Sequence, residues 1–104
     1  MEQLQTWLAK ARADLADVDA AIAALERQVA AQEAIVARLE RITLDSTPVD
    51  ANLMAQLYTA KTRLGELNAR LAKAHERRNE LIAYIDWILV QIAAVEEMEE
   101  HGGG

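Results

Sequence analysis

Residues 44–50 read Leu-Asp-Ser-Thr-Pro-Val-Asp, and this stretch decides the fold because it interrupts a chain with the composition of long helices. Pro48 is the only proline among the 104 residues, and glycine occurs only at Gly65 and at positions 102–104. We expect Thr47 to be the N-cap of a second helix, Pro48 its first residue and Asp50 the acidic residue of a capping box. A connection this short makes the two helices antiparallel neighbours.

On both sides of this turn, apolar residues recur at alternating steps of three and four, which is the heptad pattern of a coiled coil. In the first helix the a and d positions are Leu4, Leu8, Ala11, Leu15, Val18, Ile22, Leu25, Val29, Gln32, Val36 and Leu39. In the second helix they are Leu53, Leu57, Ala60, Leu64, Leu67, Leu71, Ala74, Arg78, Leu81, Ile85, Ile88, Ile92 and Val95. The pattern predicts an all-α fold, an antiparallel two-helix coiled-coil hairpin.

The prediction is a single hairpin over residues 1–100, with helix 1 at about 2–43, a turn at 44–47, helix 2 at about 48–100 and a flexible tail at 101–104. With the turn near residue 46, facing residues have numbers that sum to about 92. The pairs expected in that register are Asp14 with Arg77, Glu33 with Lys61, Asp19 with His75 and Trp7 with Tyr84. Ile92 and Val95 then project past the start of helix 1, and we expect them to be uncovered.

The stretch from Tyr84 to Ile92 is apolar nearly all round the helix, which is typical of a helix buried on more than one side. Because Trp7 lies at the same end of the hairpin, the sequence predicts an aromatic-rich interaction surface there, since Tyr and Trp are favoured interface anchors. The residues assigned to it are Trp7, Tyr84, Trp87, Leu89, Val90, Ile92 and Val95. The alternative is a hairpin that seals its own open end with these side chains.

Two further features predict that hairpins assemble side by side into a helical bundle. Alanine occupies every b position of helix 1 from Ala9 to Ala37, although helix propensity alone also favours alanine there. Ile35 and Ile42 at g positions widen the apolar stripe, as in bundles of more than two helices. The simplest such assembly is a dimer that forms a four-helix bundle. Acidic e positions and basic g positions offer charge pairs between chains: Asp19, Glu26, Glu33 and Glu40, with Arg63, Arg70 and Arg77.

Composition narrows the class of protein. The net charge of −6 disfavours nucleic acid as a partner, and the basic residues between Lys61 and Arg78 are interpreted as a solvated helix face. The chain has no cysteine and no signal-peptide pattern at its start. The most apolar run, Leu81 to Val95, is shorter than the ~20 residues that a membrane span needs. We therefore expect a cytoplasmic protein with no membrane partner.

Catalytic chemistry has no visible basis in the sequence. His75 and His101 are the only histidines, and neither belongs to a set of residues with metal-ligand spacing. No glycine-rich phosphate loop is present, and no Ser or Thr lies near a candidate base. We expect no enzyme activity, cofactor, metal or small-molecule substrate.

The function predicted from these features is a non-catalytic interaction or structural hairpin that self-associates, as a dimer or a higher homo-oligomer, through helix faces and the Trp7/Trp87 end. The alternative is a small acidic binding module, an inhibitor or chaperone, that acts on one protein partner through residues 84–100. No motif identifies a family. The composition, rich in Ala, Arg, Leu and Glu, is typical of a GC-rich bacterium or its phage.

Overall fold

The computed structural model describes residues 1–102, and within that range the chain forms two α-helices. Helix α1 is Glu2–Asp45 and helix α2 is Ala51–Gly102. They pack against each other as a helical hairpin, so the predicted all-α hairpin fold is confirmed. His101 and Gly102, expected in a flexible tail, belong to α2, whereas Gly103 and Gly104 lie outside the described residues.

The heptad pattern locates the core correctly. None of the 24 predicted a and d positions is exposed; each is buried or half-buried. Ile88 and Leu67 are the most completely enclosed, with 0% and 2% of their surface exposed. Burying one such side chain contributes ~1.5–3 kcal/mol relative to leaving it in water. The seam between the helices is therefore the main source of stability.

Contacts between the helices group the chain into two compact units. The turn-side unit is Ile22–Lys73, and its core is a cluster of Val36, Leu39, Leu57 and Ala60, with Leu64 packed against it. The termini-side unit comprises residues 1–21 and 74–102. Its core is a cluster of Ala11, Ile85 and Ile88, with Leu4, Leu8, Leu15 and Ile92 packed against it. Ile92 is thus covered, and the expectation that it projects beyond α1 is wrong.

The connection between the helices ends in an aspartate cap. The Asp50 carboxylate accepts a hydrogen bond from the Asn52 N–H at 2.8 Å, and the Asp50 carbonyl accepts one from the Met54 N–H at 3.1 Å. Asp50 is therefore the N-cap of α2. The expectation that Thr47 is the cap and Pro48 the first helical residue is wrong, because aspartate is the stronger cap and Pro48 stays in the connection.

This later cap lengthens the connection and shifts the pairing of charges. In the termini-side unit, Asp19 lies beside Arg78 rather than His75, with Arg78 Nε donating to Asp19 Oδ1 at 2.7 Å. In the turn-side unit, Lys61 Nζ lies 3.2 Å from Glu40 Oε1 and does not pair with Glu33. The partners expected for Asp19 and Lys61 are therefore wrong, the first by about one helical turn and the second by about two.

The predicted pair of Asp14 with Arg77 is also replaced. Asp14 lies 3.6 Å from Lys10 on α1, and Arg77 lies 3.6 Å from Glu80 on α2. Both are exposed pairs along one helix, which contribute only ~0.3–0.5 kcal/mol each. Charges in this unit therefore adjust to the register that the apolar seam and the turn impose.

Replacing Leu67 by alanine should lower the free energy of unfolding by about 2–5 kcal/mol, because the side chain is enclosed and its removal leaves a cavity. The matched control is Leu44→Ala, since Leu44 is 83% exposed and its truncation should change stability by less than about 0.5 kcal/mol. Urea unfolding followed by circular dichroism measures both. Equal losses of stability from the two substitutions would contradict the conclusion that the seam is the main source of stability.

Replacing Asp50 by alanine should cost about 1 kcal/mol, because the Asn52 N–H loses its acceptor at the start of α2. Thr47→Ala should change stability by less than about 0.5 kcal/mol, since Thr47 lies in the connection. The same urea titrations compare the two. A larger loss of stability from Thr47→Ala than from Asp50→Ala would show that Thr47, and not Asp50, caps α2.

Candidate interaction surface

An aromatic cluster lies on the outside of the termini-side unit. Trp7 is 37% exposed, Tyr84 42% and Trp87 50%. The rings of Tyr84 and Trp87 are stacked, with centroids 6.3 Å apart and planes at 8°. The a and d residues of α2 fill the seam between the helices. Trp87 occupies a c position of the heptad, so its side chain points away from the seam. The stacked pair therefore forms an ordered aromatic surface on the outside of α2.

Trp7 and Tyr84 also line a shallow cleft of about 400 Å³ in this unit. Ala11 and Leu81, both buried, lie on its lining. The charged residues that line it are Lys10, Asp14, Arg77 and Glu80, which form the two ion pairs along single helices described above. Because these charges already have partners, the cleft favours an apolar side chain over a charged ligand.

The seven predicted site residues separate into two groups. Leu89 and Val90 join Trp7, Tyr84 and Trp87 as exposed side chains, with Val90 62% exposed. Ile92 and Val95 are half-buried, and Ile92 packs against the core cluster of the unit. Five of the seven are thus available at the surface, while the two seam residues belong mainly to the hairpin itself.

A second cleft lies in the turn-side unit, and we call it the Arg63 cleft. Its volume is about 420 Å³, and its lining comes from both helices: Gln32, Ile35 and Leu39 of α1, and Ala55, Gln56, Thr59, Ala60 and Arg63 of α2. Gln32 Nε2 donates to the Ala60 carbonyl at 3.1 Å, which holds the amide in the seam. Ile35 is 41% exposed. The cleft is mainly apolar, with one guanidinium on its lining.

The last part of α2 carries an acidic, partly apolar surface. Ala94, Glu97, Met98 and His101 line one shallow groove, at the spacing i, i+3, i+4 and i+7 of a single helix face. We call this face the Met98 stripe. Met98 is 72% exposed, and all of residues 96–102 are exposed. This end of α2 therefore presents one methionine among several carboxylates.

Sequence reasoning found these surfaces only in part. It identified the aromatic cluster directly, and it identified Ile35 as a residue that widens the apolar stripe. It did not bring Ile35 and Arg63 together, because they lie on different helices and their juxtaposition depends on the axial register. The heptad letters were the available signal, since both residues are at g positions, which face each other in an antiparallel pair.

Within residues 1–102, no group of three or more His, Asp or Glu side chains is placed to hold a metal ion. Over the same residues, neither helix has an apolar stretch long enough to cross a bilayer. Comparisons with models of protein families, with curated proteins and with solved structures found no match to this chain.

Proposed function

We propose that this chain is a non-catalytic structural or adaptor hairpin that self-associates through the aromatic cluster of its termini-side unit. The observation that carries the proposal is that Trp7, Tyr84 and Trp87 are exposed together, with Trp7 and Tyr84 on one cleft and the rings of Tyr84 and Trp87 stacked. Single exposed apolar residues are ordinary, but a cluster of them marks a surface that another molecule covers.

The type of side chain supports a protein partner. Tryptophan and tyrosine carry much of the binding energy in protein interfaces, because they bury large area with little loss of side-chain freedom. The stacked rings of Tyr84 and Trp87 are already ordered, so association costs them little conformational entropy. The four charged residues that line the cleft beside Tyr84 are paired with one another along single helices.

The small size of the core supports a second copy as that partner. A two-helix hairpin has a seam only one stripe wide, and small single cores contribute few kcal/mol of net stability. A second hairpin packed on the cluster adds buried apolar area to both copies by the same contacts, which is how a symmetric dimer forms. The result is a four-helix bundle, in which each hairpin supplies two helices.

The solution mass tests this proposal. Sedimentation or light scattering should give at least twice the 11.5 kDa of one chain, and Trp87→Glu should weaken association by tenfold or more, because burying a carboxylate in the cluster is costly. Leu44→Glu is the matched control, since Leu44 is also exposed but lines neither the cleft beside Trp7 nor the Arg63 cleft. A wild-type mass of one chain at all concentrations would refute self-association.

A further inference from the structure

We infer that the Met98 stripe of one copy docks into the Arg63 cleft of a second copy. The inference rests on the proposed self-association and adds to it the segment that is bound, the surface that receives it and the direction in which the two copies meet. It joins a termini-side unit of one molecule to a turn-side unit of another.

The Arg63 cleft has the features of a groove that receives a third helix. Side chains of both α1 and α2 line it, and those of α2 include the small residues Ala55, Thr59 and Ala60. Small side chains let a third backbone approach closely, while Ile35 supplies an exposed apolar contact. Within the described residues Arg63 forms no ion pair, so its guanidinium is available to a carboxylate.

The Met98 stripe has the features of a helix that fits such a groove. Helices that bind in grooves do so through side chains at i, i+3, i+4 and i+7, which is the spacing of Ala94, Glu97, Met98 and His101. Met98 is flexible enough to fill an irregular apolar gap beside Ile35. Glu97 precedes Met98 on the same face and supplies the carboxylate for Arg63.

The stripe is also continuous with the aromatic cluster. Tyr84, Trp87, Gln91, Ala94, Met98 and His101 follow one another at alternating steps of three and four, so they share the g and c face of α2. A partner that covers Trp87 therefore extends naturally along the helix to Met98. Docking of the stripe continues the proposed interface and needs no separate surface.

The distribution of charge selects a second copy and its direction. Seven basic and six acidic side chains fall in the turn-side unit, giving +1, whereas four basic and eleven acidic ones fall in the termini-side unit, giving −7. Two termini-side units repel each other when they meet. A termini-side unit is better matched to a turn-side unit, and charge complementarity of this kind fixes register and suppresses wrong arrangements. Glu66, which lines a neighbouring groove with Arg63, is the acidic residue that opposes the match.

Charge reversal tests the contact. Arg63→Glu and Glu97→Arg should each weaken self-association by about tenfold, because each places like charges in contact. An equimolar mixture of the two variants should associate within about threefold of wild type, since the new carboxylate at position 63 of one chain then meets the new guanidinium at position 97 of the other. Arg27→Glu and Glu76→Arg make the same charge changes at outward f positions and should leave association unchanged. Sedimentation equilibrium compares the wild type, the four variants and the mixture.

The salt dependence of self-association gives a second readout. It has opposite signs for a termini-side unit docked on a turn-side unit and for two termini-side units in contact. Docking of the Met98 stripe into the Arg63 cleft weakens as salt is raised from about 50 to about 500 mM, whereas contact between two −7 units strengthens as salt screens their repulsion. Suppose that the wild type self-associates, but that the mixture associates no more tightly than either variant alone or that salt strengthens association. The docking of the Met98 stripe into the Arg63 cleft is then wrong, and self-association stands. If the wild type is a single chain throughout, both proposals fail. Circular dichroism checks that the variants, whose changed side chains are exposed, stay helical.

Discussion

Each helix of this protein has one apolar stripe, and in a single chain only the other helix is present to cover it. A helix that cannot bury its apolar face is marginal in water, so neither α1 nor α2 gains its stability alone. The mutual covering encloses Ile88 and Leu67, and no polar or charged residue of the described chain is buried with them. Every other feature follows from this dependence, including which side chains are left outside.

The seam was predictable from the sequence because its period is a local property. Sliding one helix along the other does not change which residues face inward, so the a and d positions hold in any axial register. The register itself depends on where the chain turns, and two residue types compete for that role. Thr47 and Asp50 are both acceptable caps, although aspartate is the stronger of the two. The choice of Asp50 moved the partner of Asp19 from His75 to Arg78.

The candidate surface was predictable where it depends on a single helix. Trp87 and Val90 stand off the seam in any register, and so does Met98. The Arg63 cleft was not predictable, because Ile35 and Arg63 lie on different helices and come together only in the register that the structure has. The uneven charge was predictable only in part. The basic residues between Lys61 and Arg78 stand out in the sequence, but the division into one unit of −7 and one of +1 depends on how the helices pair.

The acidic end of α2 has a consequence for local stability. The carbonyl groups of the last turn give a helix a partial negative charge there, and Glu99 and Glu100 add full negative charges beside it. Each such placement costs ~0.3–1 kcal/mol, and His101 is the only basic type in that turn. These turns therefore open more readily than the seam, and their amide hydrogens exchange early. A nearby guanidinium offsets the macrodipole, so an occupied cleft slows that exchange.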